Sequence, residues 1–397
     1  MTPDGPLLTL REVAEGAGVS SDTLRRWSRD SLIPAYDGVW TPAAATQARI
    51  VARLRDRGHS LEAIREATDS GQLAFGYIED LFPTNQRAYT LDEAANDCGL
   101  EPALIERMYQ TVGFPRRSTE EISEDDMRIL RYLGAVLAAG FPLVALLQLL
   151  RVYGQALARV ADAEVRLFHL YVHEPLMRDG VPGLEMAEQM EGLARDLLPL
   201  SGPIMEHVHQ RFLGHFVEQD VVGHMEAGME ADELGLGRIR VAIAFADLAG
   251  YTRLTEEEGE EQAVDAVERF IDGVEQTLPT EARVIKTIGD EVMIVGSDPT
   301  TLTRWAVDFQ ALRTTRPWPR IGIHFGQTLY RDGDYFGREV NQAARVAARA
   351  AGSEVLVTRP VVEQADADLE FDPIGQVRLK GFTVVTELFL ARRVEEG

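Results

Sequence analysis

The period of the apolar positions changes once along the chain, and the change separates two kinds of architecture. Before residue 238 apolar side chains recur at spacings of three and four, as in Leu143, Leu146, Leu147 and Leu150, and again in Met186, Met190, Leu193 and Leu197. That is the period of amphipathic helices packed on one another. After residue 238 the pattern turns to short, β-branched runs. Arg240-Val241-Ala242-Ile243-Ala244-Phe245-Ala246-Asp247 reads as a strand ending in a carboxylate, followed by Leu248-Ala249-Gly250-Tyr251-Thr252 as a loop into a helix. Val284-Ile285-Lys286-Thr287-Ile288-Gly289-Asp290-Glu291-Val292-Met293-Ile294-Val295 predicts a β-hairpin, with an ammonium and carboxylates at its tip.

The helical half contains a repeat. Thr9-Leu10-Arg11-Glu12-Val13-Ala14, then Gly18-Val19-Ser20 and Asp22-Thr23-Leu24-Arg25-Arg26-Trp27, spell a helix, a glycine turn and a serine-capped second helix. A helix over 43–57 follows, and Gly58 precedes another. This order resembles the winged helix-turn-helix of MerR-type regulators over about the first 70 residues. At an offset of 81 or 82, Thr90-Leu91-Asp92-Glu93-Ala94-Ala95, Gly99, Ile105, Arg107, Pro115 and Gly140 repeat the pattern of Thr9, Gly18, Leu24, Arg26, Pro34 and Gly58. DNA binding through the first copy would use Arg25, Arg26 and Arg29. Asp22 and Asp30 bracket them, the presumed wing Ala35-Tyr36-Asp37-Gly38-Val39 is not basic, and the second copy carries Glu101 and Glu106. A DNA reader presents a basic face to phosphates, so the charges argue for a packing or ligand-sensing module.

Further along, residues 132–150 carry no charge and are about as long as a membrane span. Gly140-Phe141-Pro142 interrupts them, which predicts two buried helices meeting at a turn and no transmembrane segment. A fatty acid or similar apolar ligand would fit between such helices. Asp179-Gly180-Val181-Pro182-Gly183 and Ser201-Gly202-Pro203 should each stop a helix. His169, His173, His207, His209, His215 and His224 all fall in this region. Such a set suits a pH sensor, and His169 with His173 has the spacing for a metal, although scattered surface histidines give the same count. The segment from Glu226 through Leu234-Gly235-Leu236-Gly237 reads as a linker helix running into a joint.

Composition narrows the chemistry. The 397 residues carry a formal charge of −24, so any polyphosphate site must be built locally. Cys98 is the one cysteine, which excludes internal disulfides, and no signal-like segment follows Met1, so a cytoplasmic address is expected. Among 40 basic residues only Lys286 and Lys380 are lysine. A compact ammonium kept in so arginine-biased a chain points to a task that a planar guanidinium does badly.

Asp247 and Asp290 supply hard oxygen ligands of the kind Mg²⁺ or Mn²⁺ takes beside substrate phosphates, and Gly250, Tyr251 and Thr252 start a helix whose N–H groups attract phosphate. In Asp334-Tyr335-Phe336-Gly337-Arg338-Glu339-Val340-Asn341-Gln342-Ala343-Ala344-Arg345, Asn341 and Arg345 share a helix face. With these residues in order, residues 238–392 resemble the catalytic domain of class III nucleotidyl cyclases. The resemblance implies that Asp247 and Asp290 hold two metal ions per site, that Lys286 and Asp334 read the purine, that Asn341 orients the ribose and that Arg345 stabilises the transition state. It assigns Lys380, in Leu379-Lys380-Gly381, to the triphosphate. Adenine presents an acceptor at N1 and a donor at N6, which Lys286 and Asp334 complement, whereas guanine would need an acceptor in place of Lys286. ATP is therefore the expected substrate and cyclic AMP the product. The resemblance further implies an α/β fold with an antiparallel-rich sheet and a homodimer whose two active sites lie at the interface.

The expected organisation is multi-domain. An all-α regulatory half comprises a helix-turn-helix domain (1–80) and a second repeat with a helical bundle (81–224); a linker helix (225–237) joins it to the α/β cyclase domain (238–397). Residues 89–233 resemble the regulatory half of pH-responsive bacterial adenylyl cyclases, implying control by pH, by an apolar ligand, or by both. The alternative is a transcription factor that senses nucleotide with a degenerate cyclase domain. Degeneration should have removed some of the six polar residues, and all six are present.

Overall fold

A computed structural model of the chain describes residues 8–33, 40–74, 76, 88–119, 122–181, 183–227, 237–312 and 316–394. The presumed wing at 35–39 and most of the presumed linker, 228–236, lie outside the described residues. Contacts group the chain into two units, Met1–Phe212 and Leu213–Gly397.

In the first unit, α1 (Leu10–Ala17), α2 (Ser21–Arg29), α3 (Pro42–Asp56) and α4 (Leu61–Asp69) form one module. After β1 (Ala88–Tyr89), α5 (Leu91–Cys98), α6 (Pro102–Val112), β2 (Ile122–Ser123), α7 (Glu124–Ala138) and α8 (Leu143–Phe168) form its counterpart. The repeat holds down to its caps. Thr9 with Glu12 and Thr90 with Glu93 make the same reciprocal capping box, and Gly18 (φ 65°) and Gly99 (φ 70°) end both first helices in the left-handed conformation. A backbone bridge pairs Leu8 with Trp40 in the first copy, and β1 pairs with β2 in the second. The buried Ala14, Leu24 and Trp27 recur as Ala95, Ile105 and Met108. The copies diverge at the fourth helix, where the short α4 is replaced by the 26-residue α8.

Helices α7 and α8 do meet at a turn around Gly140 (φ 92°), as the pattern predicts. The expectation that both are buried needs correction. Leu146, Leu147 and Leu150 pack with Met108, but Tyr132, Val144, Leu157, Val165 and Leu167 are exposed, because α8 outruns the surface the second module offers it. By length and composition alone Leu143–Arg178 is apolar enough to cross a membrane. It carries Arg151, Arg159, Asp162, Glu164 and Arg166, which a bilayer would have to desolvate.

A π-helical turn (His169–His173) and α9 (Glu174–Arg178) follow, then α10 (Gly183–Ala227). The helix expected to stop at Ser201-Gly202-Pro203 instead runs through both Pro199 and Pro203. Proline removes its own N–H and frees the carbonyl four residues earlier. Here those carbonyls belong to Arg195 and Pro199, both exposed residues, and Ser201 Oγ donates to Leu198 O at 3.0 Å. Of the expected linker helix at 225–237, residues 225–227 form the last turn of α10, and 228–236 lie outside the described residues.

In the second unit, β3 (Arg238–Leu248), β4 (Ala282–Ile288), β5 (Glu291–Gly296), β6 (Pro319–Arg331), β7 (Asp334–Phe336), β8 (Val355–Thr358), β9 (Leu369–Val377) and β10 (Thr386–Arg393) make one sheet. The order is β4-β5-β3-β6-β8-β10-β9 with β7 against β6, and only β6 with β8 is parallel. Alternation along β3 divides the sheet into two faces. Ala242, Ala244, Ala246 and Leu248 share one core with Phe270 and Val274 of α12 (Glu260–Thr277) and with Trp305 and Phe309 of α13 (Pro299–Leu312). Val241, Ile243 and Phe245 point the other way, with Ala343 and Ala347 of α14 (Arg338–Ala347). Two shorter helices, α11 (Tyr251–Glu258) and α15 (Arg359–Val362), complete the unit.

Candidate active site

Directly paired residues in neighbouring strands lie on the same face of a sheet, so register alone assigns the site to the α14 face. Asp247 pairs with Glu291 on one side and with Arg320 on the other, and it shares the parity of Ile243 and Phe245. Lys286 pairs with Met293, which packs on that same face. It does so only because β4 is bulged: Val284 pairs with Ile294, Lys286 with Met293, and Ile285 is the extra residue. Strict alternation from Val284, which packs against the α12 and α13 core, would have aimed Lys286 at that core. The bulge was not foreseen from the sequence; an isolated β-branched residue between two partners gives no local signal.

The hairpin tip is as expected. Gly289, at φ 64°, and Asp290 join β4 to β5, which brings Asp290 beside Asp247. Burial, followed by a hydrogen bond and repulsion from Asp247, pushes the Asp290 carboxyl up to about 6. Glu291 is raised as well, by burial and then by Asp247, against the pull of Arg320 and Arg345. Two carboxylates sharing so little space favour a proton or a divalent cation between them, and their hard oxygens fit Mg²⁺ or Mn²⁺. Among the described residues no cluster of three or more His, Cys, Asp and Glu could hold a metal by itself. The two aspartates would therefore depend on further oxygens from backbone, water or substrate.

Arg320 is the residue that sequence reasoning missed. Its Nε donates to Asp247 Oδ2 at 2.8 Å and its Nη2 to the same oxygen. In the sequence it is one of many arginines, at the start of an ordinary strand; only the register across β3 and β6 shows that it faces Asp247.

Lys286 Nζ donates to Asp334 Oδ2, so the two residues expected to read the base are adjacent. Asp334 begins β7, and its Oδ1 accepts from the Tyr335 N–H at 2.8 Å, which fixes the carboxylate. Tyr335 is buried, and its hydroxyl accepts from Arg283 Nη2 at 2.6 Å. Asn341 and Arg345 are both exposed on α14. Gly250 (φ 86°) caps α11, whose first residues are Tyr251 and Thr252. Lys380 lies in an exposed turn after β9 and, among the described residues, has no hydrogen bond or ion pair with the other candidates.

In the first unit His169 and His173 also come together. Their Nδ1 atoms are 3.0 Å apart, and the buried His173 places Nε2 2.9 Å from Gly71 O. Glu174 Oε1 lies 3.8 Å from His169 Nε2, but among the described residues no group of three ligating side chains could hold a metal, so the metal expectation at this pair gains no support.

Two families match the chain in order: the adenylate cyclase regulatory domain over residues 30–216 and the adenylate and guanylate cyclase catalytic domain over residues 238–392. An adenylate cyclase of Streptomyces coelicolor is 32% identical over 293 residues, spanning 72% of this chain and 74% of that protein. A pH-sensitive adenylate cyclase of Mycobacterium tuberculosis is 29% identical over 369 residues, spanning 88% of this chain and 89% of its own length. The solved adenylyl cyclase CyaB from P. aeruginosa superposes with a TM-score of 0.37 at 21% identity, covering 40% of this chain and 96% of that one. With a regulatory and a catalytic family in that order, and a relative of 32% identity matched over most of both lengths, the chain belongs to the class III adenylate cyclases.

Proposed function

We propose that the protein converts ATP to 3′,5′-cyclic AMP and pyrophosphate. The observation that carries this reading is the Lys286–Asp334 pair, a donor and an acceptor side by side on the face that also holds the two aspartates. Adenine N1 accepts and N6 donates, which is the complementary pattern. In the reaction the ribose 3′ oxygen bonds to the α-phosphorus, the bond to the pyrophosphate oxygen breaks, and the 3′ proton leaves to solvent. Asn341 orients the ribose, and Arg345 carries a charge that needs no protonation change to meet the developing negative charge. Asp247 and Asp290 would hold Mg²⁺ or Mn²⁺, two per site, which supply Lewis acidity to the 3′ oxygen and neutralise the leaving group. Gly250, Tyr251 and Thr252 present N–H groups to phosphate, and Lys380 reaches the triphosphate from its exposed turn.

We assign the active form to a homodimer. Lys286 and Asp290 sit four residues apart on one hairpin, too close to serve the base and the phosphates of the same nucleotide easily. Asn341 and Arg345 are exposed, as residues completing a partner's site would be. The proposed domain limits are residues 1–80 and 81–224 regulatory, 225–237 connecting and 238–397 catalytic; the matched families, over 30–216 and 238–392, are compatible with the break between the two halves.

The helical half is assigned to regulation by pH or by an apolar ligand. The His169–His173 contact supports the pH reading. His173 Nε2 faces a carbonyl and must donate, so the short Nδ1 contact can hold one proton and not two. The exposed apolar side chains of α8 are what an apolar ligand would have to engage. DNA binding at the first repeat finds no support, since Arg25 already pairs with Asp22 at 2.8 Å. A nucleotide-sensing transcription factor is correspondingly disfavoured. A cytoplasmic address, as expected from the sequence, agrees with ATP as the substrate.

The deciding experiment is cyclic nucleotide formation from Mn·ATP and from Mn·GTP by the full chain. Cyclic AMP from ATP with little product from GTP is expected. Absence of product from either would overturn the assignment.

A further inference from the structure

Beneath α14 lies a polar cluster that the proposed reaction does not use. His324 of β6 is 3% exposed and Thr358, at the end of β8, is fully buried. His324 Nδ1 is 2.7 Å from Thr358 Oγ1, and His324 Nε2 meets Glu339 Oε2. The hydrogen bond from His324, working against burial, holds the Glu339 carboxyl below its usual range, so it is ionised and can only accept. Nε2 of His324 therefore donates to Glu339. A buried histidine with both nitrogens engaged has one ring orientation available to it.

Glu339 is the second residue of α14, the helix that carries Asn341 and Arg345. That helix starts without a side-chain cap, since Gly337 offers none. At its other end it sits directly on the sheet: a Cβ built on Gly322 of β6 would meet the Ala347 backbone nitrogen at 2.0 Å. Near its start, a Cβ on Gly326 would meet Glu339 Oε2 at 3.0 Å and His324 Nε2 at 3.1 Å. Strand β6 is thus cut away at two places to receive the helix, and between them it supplies a polar anchor.

We infer that His324 and Glu339 are positioning residues for the cyclase reaction, with Thr358 orienting the imidazole and the His324–Glu339 contact setting the angle at which α14 presents Asn341 and Arg345. This rests on the roles proposed for Asn341 and Arg345. Both are exposed, so their direction depends on the helix that bears them. A displacement of about 1 Å at such groups costs on the order of a hundredfold in rate. The base-reading pair is carried by β4 and β7 and does not depend on the anchor.

The test compares full-length His324→Ala, Glu339→Ala, the double variant, Glu339→Gln and Arg345→Ala, with kcat and KM for Mn·ATP measured separately and folding followed by thermal melting. Each alanine variant should lose about tenfold or more in kcat while KM stays within about twofold. The double variant should be no worse than the more severe single one, because both remove one contact. Glu339→Gln still accepts from Nε2 and should recover most of the rate. Folded alanine variants with kcat within about twofold of the parent, or a KM that rises as far as kcat falls, would overturn the inference. If His324→Ala does not fold, the comparison passes to the partly exposed Glu339, where equal rates for alanine and glutamine overturn it. An active Arg345→Ala chain overturns both this inference and the assignment of α14. An inactive Arg345→Ala chain beside normal His324 and Glu339 variants overturns the anchor alone.

Discussion

Arg320 faces Asp247 across the β3–β6 ladder and gives two N–H donors to a single carboxylate oxygen of it. A guanidinium thus neutralises one of the two carboxylates proposed to hold a divalent cation. A divalent cation held by Asp247 would compete with Arg320 for the charge of that carboxylate, and a guanidinium so placed is suited to pairing with a phosphate.

Arg320→Ala should therefore tighten Mn²⁺ binding in the absence of nucleotide and weaken binding of ATP. A rise of about threefold or more in metal affinity, with a similar loss in ATP affinity, is expected by calorimetry above pH 7. Weaker metal binding in the variant would show that Arg320 supports the metal site rather than competing for it.

Asp290 gives a pH dependence of known sign. Its carboxyl is held near 6 in the folded protein, against an ordinary 3.8, so the folded state binds that proton more tightly. The stabilisation from this group is complete below the ordinary value and is lost as pH rises through about 6. Above that point a divalent cation held by Asp290 would take the place of the proton. Mn²⁺ should accordingly raise the melting temperature more at about pH 7.5 than at about pH 5.5, and Asp290→Asn should remove the difference. An equal metal-induced shift at both values in the parent chain would contradict the deduction.

Subunit complementation tests the shared site. Asp247→Ala and Arg345→Ala chains should each be inactive, each having lost a group of the proposed machinery without losing a core side chain. Mixed, they should regain up to about a quarter of the parental rate, since random pairing makes half the dimers mixed and one site in each keeps every group. No recovery, with mixed dimers demonstrated, would show that each chain works alone.

The regulatory assignment is tested by two pH profiles. Full-length activity should rise more steeply on acidification toward about pH 6 than that of a chain beginning at Arg238, because only the former contains the histidine-bearing half. The opposite slope expected from Asp290 applies to both chains and cancels in the comparison. Parallel profiles would remove pH from the list of regulators.

What the sequence made legible was local. The hairpin tip at Gly289 and Asp290, the strand ending at Asp247 and the helix face shared by Asn341 and Arg345 all follow from alternation, turn chemistry and helical spacing within short windows. The repeat was legible for the same reason, since Gly18 and Gly99, or Leu24 and Ile105, carry their own conformational demand. Features that depend on distant partners were not legible. Arg320 matters because of Asp247, and His324 because of Glu339 and Thr358. The passage of α10 through Pro199 and Pro203 is not legible because proline is read without its setting, in which the residues bearing the freed carbonyls are exposed. Apolar residues on α8 were expected to be buried because periodicity reports a face and not what covers it.

The bulge at Ile285 makes the active site a matter of counting. A side chain two residues beyond Val284 would normally share its orientation, and one surplus position turns the Lys286 ammonium through the sheet to the side where Asp334 waits. The identity of residue 285 is then secondary to its being bulged out of the ladder. Exchange among apolar side chains there should be tolerated. Deletion of residue 285 would restore regular pleating with Lys286 directly after Val284, and alternation would keep the ammonium on the Met293 face; a strand that kept every residue and lost the bulge would turn it into hydrocarbon. In this strand a one-residue slip beyond Val284 would be a more radical change than an apolar exchange at residue 285.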